Sequence, residues 1–299
     1  MVCSCFQDKH YFFICIFGFN PIPGSKSFMG PTAYPMQDRR IKPACWRTCP
    51  GHVGPAPKTN VLKHACLNLL LLVLLSSCNK DFLVLNKGIA GNNSNDLVKR
   101  INRDVLAESP DLVILMVGSN DMLNSRKFVS YASFQANYQL LLDRLTSRGI
   151  QVVVMSPPPA DTGYVFQRHN RQLFSQEPNS KLDSLNRLIR QLARAYQVHY
   201  IDINQAFKQQ GSPNRQAHSL IVNQANMGIP DGLHPTREGY SFIAREIYGY
   251  LKQHKLLKKN RRIICFGDSI TYGAFMEGKG TTEGDTYPAF LQRLLLPAR

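Results

Sequence analysis

Two short segments of the chain carry the side chains of a nucleophilic catalyst. The segment GDSIT at 267–271 contains Ser269, and the segment DGLHP at 231–235 contains Asp231 and His234. A serine hydroxyl is a weak nucleophile at neutral pH and needs an adjacent base, a task that suits an imidazole. A carboxylate can accept the second ring N–H and stabilise the imidazolium. We therefore expect Ser269 to be the nucleophile, His234 its general base and Asp231 the partner of His234.

Acyl transfer also needs donors for the oxyanion of the tetrahedral intermediate, each contributing about 2.7–4 kcal/mol. The segments GIAGNNS at 88–94 and GSND at 118–121 offer the Gly91 backbone N–H and the Asn120 amide. The backbone N–H of Ser269 would be the third donor. Each segment alone has a plain structural explanation, as a turn, a helix cap or a solvated histidine. Their occurrence together favours a hydrolase site.

Alternating strands and helices must position these segments. Five short apolar runs predict buried strands, at 82–85, 112–117, 152–155, 199–203 and 263–266. Helical patterns separate them, one from Ser133 as N-cap to Gly149, others around 182–196 and 242–251. This alternation predicts a doubly wound α/β domain with a parallel sheet covered on both faces. Sites in such folds lie beyond the carboxyl ends of the strands, where we expect the four segments to meet.

The four segments resemble the blocks of the SGNH (GDSL-type) hydrolase family. Ser269 matches its nucleophile block, Gly91 its glycine block, Asn120 its asparagine block, and Asp231 with His234 its final block. The resemblance covers residues 82–299 and includes Tyr287-Pro288 at the start of a helix. It implies a three-layer α/β/α, flavodoxin-like fold with a parallel five-stranded sheet. It also implies hydrolysis of acyl esters of lipids or sugars, without a metal or any other cofactor.

The order of the blocks departs from the family, because the serine block comes last instead of first. The chain therefore resembles a circularly permuted member, and moving residues 261–299 ahead of residue 82 restores the usual order. We expect the strand at Ile263 to lie between those at Phe82 and Leu112. At the edge of the sheet, Ser269 would be only a turn serine.

The first 80 residues differ in character from the rest. Residues 1–60 have no sustained period and contain no recognisable domain, although a disulfide-stapled module stays open as an alternative. Residues 61–80 have a basic start, a short apolar run and Leu-Ser-Ser-Cys, which is typical of a bacterial lipoprotein signal lipidated at Cys78. A buried apolar helix is the alternative. We expect translation to begin near Val61, and a hydrolase domain at 81–299 that is exported and lipid-anchored to the cell envelope.

Charge and loops leave a few further expectations. The net charge of +16 has no aromatic-interleaved basic motif beside it, so we expect no nucleic-acid partner and instead a basic surface near anionic lipid or cell-wall polymer. The loop 157–178, with Tyr164, Phe166, Arg168 and His169, is expected to shape an acyl or sugar pocket. Two alternatives to the esterase are a non-catalytic glycan- or lipid-binding module on the same fold, and a chain whose altered order prevents assembly.

Overall fold

The computed structural model describes residues 82–296, which form one five-stranded sheet with helices on both faces. The strands are β1 (Leu83–Gly88), β2 (Leu112–Met116), β3 (Gln151–Met155), β4 (His199–Ile201) and β5 (Arg262–Gly267). The helices are α1 (Ser94–Asp104), α2 (Ser119–Leu123), α3 (Tyr131–Thr146), α4 (Thr162–Arg168), α5 (Pro178–Ala195), α6 (Ile203–Gln209), α7 (Gln224–Met227), α8 (Arg237–Gln253), α9 (Ser269–Tyr272) and α10 (Tyr287–Leu295). This architecture confirms the predicted three-layer fold.

The last strand in the sequence lies inside the sheet. The strand order is β1-β5-β2-β3-β4, and every pairing is parallel. Ile263 of β5 is in register with Val84 on one side and Leu112 on the other. The prediction for the strand at Ile263 is therefore confirmed. Because all the strands point the same way, β1, β5 and β2 bring their carboxyl ends to a common edge.

Two apolar layers explain why the strand sequences are nearly continuous hydrophobic runs. Alternate residues of β5 point to opposite faces, so that Ile264 and Phe266 pack with α1, α3 and α5, whereas Ile263 and Cys265 pack with α8 and α10. All four side chains are fully buried. A strand covered on both sides has no polar face, which is why it lacks the alternation of a half-exposed strand.

Helix α10 covers the outer edge of β1. The Gln292 side chain accepts a hydrogen bond from the Val84 N–H at 2.7 Å and donates one to the Phe82 carbonyl at 2.9 Å. An exposed strand edge would otherwise present unpaired backbone groups. Helix α10 therefore lies beside the start of β1, where the usual block order would require a connection.

Some local predictions need correction. The N-cap of α3 is Ser130 and not Ser133, since the Ser130 hydroxyl accepts the Ser133 N–H at 3.1 Å. The segment 157–178 is not merely a loop, because it contains α4 and a 3-10 turn.

No helix among residues 82–296 is long and apolar enough to cross a bilayer. The predictions for 1–60, 61–80 and Cys78 lie outside the described residues.

Candidate active site

A tight turn carries Ser269 out of β5. Asp268 caps α9 by accepting the Ile270 N–H at 2.9 Å, and Ser269 is the first helical residue. A Cβ atom on Gly267 would stand 2.2 Å from the Thr271 hydroxyl oxygen and 2.3 Å from the Met116 carbonyl oxygen. Only glycine permits this close approach between strand and helix, which fixes Ser269 at the carboxyl edge of the sheet.

Ser269, His234 and Asp231 form a continuous hydrogen-bonded chain. The Nε2 atom of His234 lies 2.9 Å from the Oγ of Ser269, within the reach expected of a general base. The Nδ1 atom of His234 lies 3.0 Å from both carboxylate oxygens of Asp231. The structure thus brings together the three residues that the sequence assigns to nucleophile, base and orienting carboxylate, although Ser269 is 35 residues from His234 in the chain.

The Asp231 carboxylate is buried, and both of its oxygens accept hydrogen bonds from protein groups. Its Oδ2 accepts the backbone N–H groups of Leu233, at 2.9 Å, and His234, at 2.7 Å, whereas its Oδ1 accepts Arg168 Nη1 at 2.7 Å. Burial acts to raise the pKa of Asp231, but the hydrogen bonds from His234 and the charge of Arg168 outweigh it and lower that pKa to about 2. The Asp231 carboxylate is therefore ionised at neutral pH.

The three predicted oxyanion donors border the same cavity. Gly91, Asn120 and Ser269 all line it, and Gly91 has the left-handed conformation (φ 75°) that favours glycine. One N–H of the Asn120 amide donates to the Asn92 carbonyl at 2.9 Å, and its other hydrogen is left to donate elsewhere. The Ser269 N–H is at the first position of a helix, where no acceptor within the helix is available. The arrangement suits a developing oxyanion.

The cavity above Ser269 has a volume of about 300 Å³. Its apolar wall includes Ala90, Leu123, Val165, Leu233 and Ala274, and its polar wall includes Asn124, Arg168 and His169. The last two come from the segment that the sequence assigns to the pocket. Tyr164 of the same segment is buried against Gly232 instead. The segment therefore contributes both a wall of the cavity and a support beneath the DGLHP segment.

Arg100 is a buried side chain that the sequence analysis missed. Its guanidinium donates to the Gly267 carbonyl at 2.7 Å, to the Lys87 carbonyl at 2.9 Å and to the Asn92 side chain at 2.7 Å. It also stacks over the ring of Phe266. Arg100 thereby ties the end of β5 to β1 and to the glycine segment. A signal exists in the sequence, since an arginine next to Ile101 and three residues after Leu97 lies on the buried face of α1.

Two further carboxyl groups are buried beside the site. Burial raises the pKa of Asp268 to about 7 and that of Asp121 to about 6. A neighbouring carboxylate adds to each shift, Asp121 for Asp268 and Asp96 for Asp121. Asp121 accepts the Ser94 N–H at 3.0 Å, so it holds the start of α1. Asp268 has one carboxyl oxygen without a hydrogen-bond partner among residues 82–296. Both groups keep their protons to a higher pH than ordinary carboxyl groups do.

The substitution Asp268→Asn is expected to stabilise the protein more at high pH than at low pH. Because the folded-state pKa is raised above the unfolded value of about 3.9, the folded protein binds this proton more tightly, and that stability is lost as the pH rises through about 7. Asparagine keeps the cap on Ile270 but cannot ionise. The gain in the free energy of unfolding should be up to about 3 kcal/mol larger at about pH 8 than at about pH 5, because most of the difference between the two pKa values falls in this window.

Urea unfolding of the wild type and of Asp268→Asn at the two pH values measures the gain in the free energy of unfolding. Asp183→Asn is the matched control, because Asp183 is exposed and paired with Lys208 at the surface. Equal gains for Asp268→Asn at both pH values would show that the buried carboxyl group does not titrate as described.

Known proteins that are similar to this chain include an esterase and a lipoprotein. The chain is 27% identical over 164 residues to an acetylxylan esterase of Geobacillus stearothermophilus, covering 54% of this chain and 68% of the relative. It is 24% identical over 187 residues to the uncharacterized lipoprotein YqeF of Bacillus subtilis (strain 168), covering 59% and 74%. The crystal structure of a lipase/acylhydrolase from Enterococcus faecalis is 24% identical, with a TM-score of 0.43, and the match covers 55% of this chain and 72% of that one.

The family match covers most of the site. The sequence profile of the GDSL-like lipase/acylhydrolase family matches residues 71–242, more than half of the 299 residues. That range contains the glycine, asparagine and DGLHP segments and ends before β5. Among residues 82–296, no group of three or more His, Cys, Asp or Glu side chains is arranged to hold a metal ion. The chain belongs to the GDSL-like lipase/acylhydrolase family, and thus to the carboxylic ester hydrolases.

Proposed function

We propose that this protein hydrolyses esters through an acyl-enzyme intermediate on Ser269. The observation that carries the proposal is the 2.9 Å distance between the Ser269 Oγ and the His234 Nε2. Nucleophile and base are already in contact, and the base is held by a buried carboxylate. Within this geometry His234 is the general base, and Asp231 fixes its tautomer and stabilises the imidazolium.

The reaction would proceed in two halves. His234 takes the Ser269 proton as the oxygen attacks the ester carbonyl, and the negative charge that forms on the carbonyl oxygen faces the N–H groups of Gly91, Asn120 and Ser269. The intermediate expels the alcohol, which receives the proton from His234. Water, activated by the same imidazole, then attacks the acyl-enzyme and releases the acid and free Ser269.

We propose that the substrate is a carbohydrate that carries a short acyl ester. An acyl ester of a lipid is the alternative substrate. The small cavity of about 300 Å³ favours a short acyl group over a long chain. Its polar wall, with Asn124 and His169, suits the hydroxyl groups of a sugar. An acetylxylan esterase among the relatives supports the same choice.

We also propose that the protein is exported and lipid-anchored to the bacterial cell envelope through Cys78. The signal-like segment 61–80 and a relative described as a lipoprotein support this location. The proposed partners are thus the ester substrate and a membrane, with no nucleic acid. Mass spectrometry of the native protein tests this part: a diacylglyceryl-modified Cys78 at the mature N-terminus is expected, and mature peptides from residues 1–60 would contradict it.

The substrate proposal predicts a steep dependence of activity on acyl-chain length. With nitrophenyl acetate, butyrate and octanoate as substrates, kcat/KM should fall at least about tenfold from the acetate to the octanoate, since each misplaced or excluded methylene costs on the order of 1–3 kcal/mol. Release of acetate from an acetylated xylo-oligosaccharide is the second measurement. A rate that rises with chain length would overturn the short-acyl proposal. Binding of the oligosaccharide without turnover would favour the non-catalytic binding module instead.

A further inference from the structure

Helix α4 is attached at both ends to the segment that carries Asp231 and His234. At its start, the Asp161 N–H donates to the Gly232 carbonyl at 2.7 Å. At its end, Arg168 donates through Nη1 to the Asp231 carboxylate at 2.7 Å and through Nη2 to the Asp231 carbonyl at 2.6 Å. The helix therefore lies across the DGLHP segment and contacts its first two residues directly.

The contact between helix and segment leaves no room for adjustment. A Cβ atom on Gly232 would stand 2.8 Å from the Tyr164 Cβ and 2.9 Å from the Asp161 Cβ. Gly232 has a φ of 71°, a conformation that favours glycine. Because α4 packs this closely, the position of the Asp231 backbone depends on where the helix lies.

Arg168 is the one side chain of α4 that reaches the Asp231 carboxylate. The Oδ2 of Asp231 is held by two backbone N–H groups of its own turn, but apart from the His234 ring its Oδ1 accepts only from Arg168 among residues 82–296. The Asp231 side chain is 1% exposed, whereas that of Arg168 is 36% exposed and lines the cavity. Without Arg168, backbone N–H groups would hold the carboxylate at Oδ2 only, and it could rotate about the Cβ–Cγ bond of Asp231.

We infer that Arg168 is a positioning residue that fixes the Asp231 carboxylate, and through it the His234 ring, for attack by Ser269. The inference rests on the proposed function, because it assigns Arg168 a part in the same site. The guanidinium is a planar fork that bonds the carboxylate and the carbonyl of one residue at once. A lysine ammonium has one nitrogen and cannot span both acceptors. Arg168 does not touch the reacting atoms, so its effect should fall on kcat.

The test compares Arg168→Ala, Arg168→Lys and the matched control Arg215→Ala with nitrophenyl acetate as substrate. Arg215 forms a two-pronged ion pair with Asp161 at the other end of α4, at 2.8 and 2.9 Å, and does not contact Asp231. Arg168→Ala should lower kcat by about 10²-fold, since misplacement of a catalytic group by about 1 Å costs that much, with KM changed by less than about threefold. Arg168→Lys should recover only a small part of the loss. Millimolar guanidinium added to Arg168→Ala should restore activity at least about tenfold, because it can occupy the vacated fork.

Each outcome decides between positioning and mere support of the fold. An equal loss of kcat in Arg215→Ala would show that α4 only needs to be anchored. A failure of guanidinium to rescue Arg168→Ala would also overturn the inference, because the Asp231 carboxylate would then not depend on a group at that position. Unchanged kcat in Arg168→Ala would also overturn the inference. All of these comparisons require that the wild type is active. An inactive wild type would instead reject the proposed function itself. Rescue confined to Arg168→Ala, with full activity in Arg215→Ala, supports the assignment.

Discussion

Replacement of Ser269 by alanine is expected to lower kcat for nitrophenyl acetate by about 10⁴- to 10⁶-fold, the loss typical of a deleted serine nucleophile. The physical reason is the hydrogen bond from Oγ to His234, which prepares this hydroxyl for deprotonation. What remains should be the modest acceleration provided by binding and by the oxyanion donors. KM should change little, since the substitution removes one oxygen from a cavity that is otherwise intact.

Ser119→Ala is the matched control for this substitution. Ser119 lines the same cavity and is also buried, but its Oγ has no hydrogen-bond partner among the described residues. Its removal should therefore retain most of the activity. Initial rates of nitrophenolate release, corrected for the spontaneous reaction, measure both variants. Equal rates in the wild type and Ser269→Ala would remove Ser269 from the mechanism.

A chain that ends at Asn260 is expected to lose cooperative unfolding and all esterase activity. It lacks β5, and β5 supplies the strand between β1 and β2 together with a buried row of side chains on each face of the sheet. The truncated sheet would have two unpaired inner edges, which invite aggregation. Urea unfolding followed by circular dichroism, together with size-exclusion chromatography, measures this loss.

A reordered chain, with residues 261–299 placed ahead of residues 82–260, is expected to fold and to hydrolyse the same ester. Its rate should lie within about tenfold of the original, because the contacts that position Ser269 are unchanged and only the connections differ. Helix α10 already lies beside the start of β1, since Gln292 bonds Phe82 and Val84. Refolding should be faster, because the interior strand no longer arrives last. An unfolded reordered chain would contradict the interpretation of this protein as a circularly permuted family member.

The sequence was most informative where the chemistry is local. Apolar runs at β2 and β5 predicted their strands because a strand buried on both faces must be apolar throughout. The spacing of Asp231 and His234 predicted their contact, since three residues are enough for a turn to return the ring to the carboxylate. Ser269 could be assigned because the parallel strands place their carboxyl ends at one edge.

The remaining features depend on contacts that the sequence does not encode locally. Arg100 bonds the Gly267 carbonyl, 167 residues away, and Arg168 bonds Asp231, 63 residues away, so neither contact has a spacing to search for. The N-cap of α3 was missed for a different reason. Ser130 and Ser133 are both good caps, and the choice between them depends on where the preceding chain enters the helix.

The central claim is that Ser269, placed by an interior strand from the end of the chain, is the nucleophile of this esterase. Its most direct measurement is reaction of the protein with a fluorophosphonate, followed by proteolysis and mass spectrometry of the labelled peptide. We predict stoichiometric labelling at Ser269, loss of esterase activity in proportion to the label, and slow labelling in His234→Ala. Label at Ser119 or at any other serine, or full activity after Ser269 has been labelled, would contradict the claim.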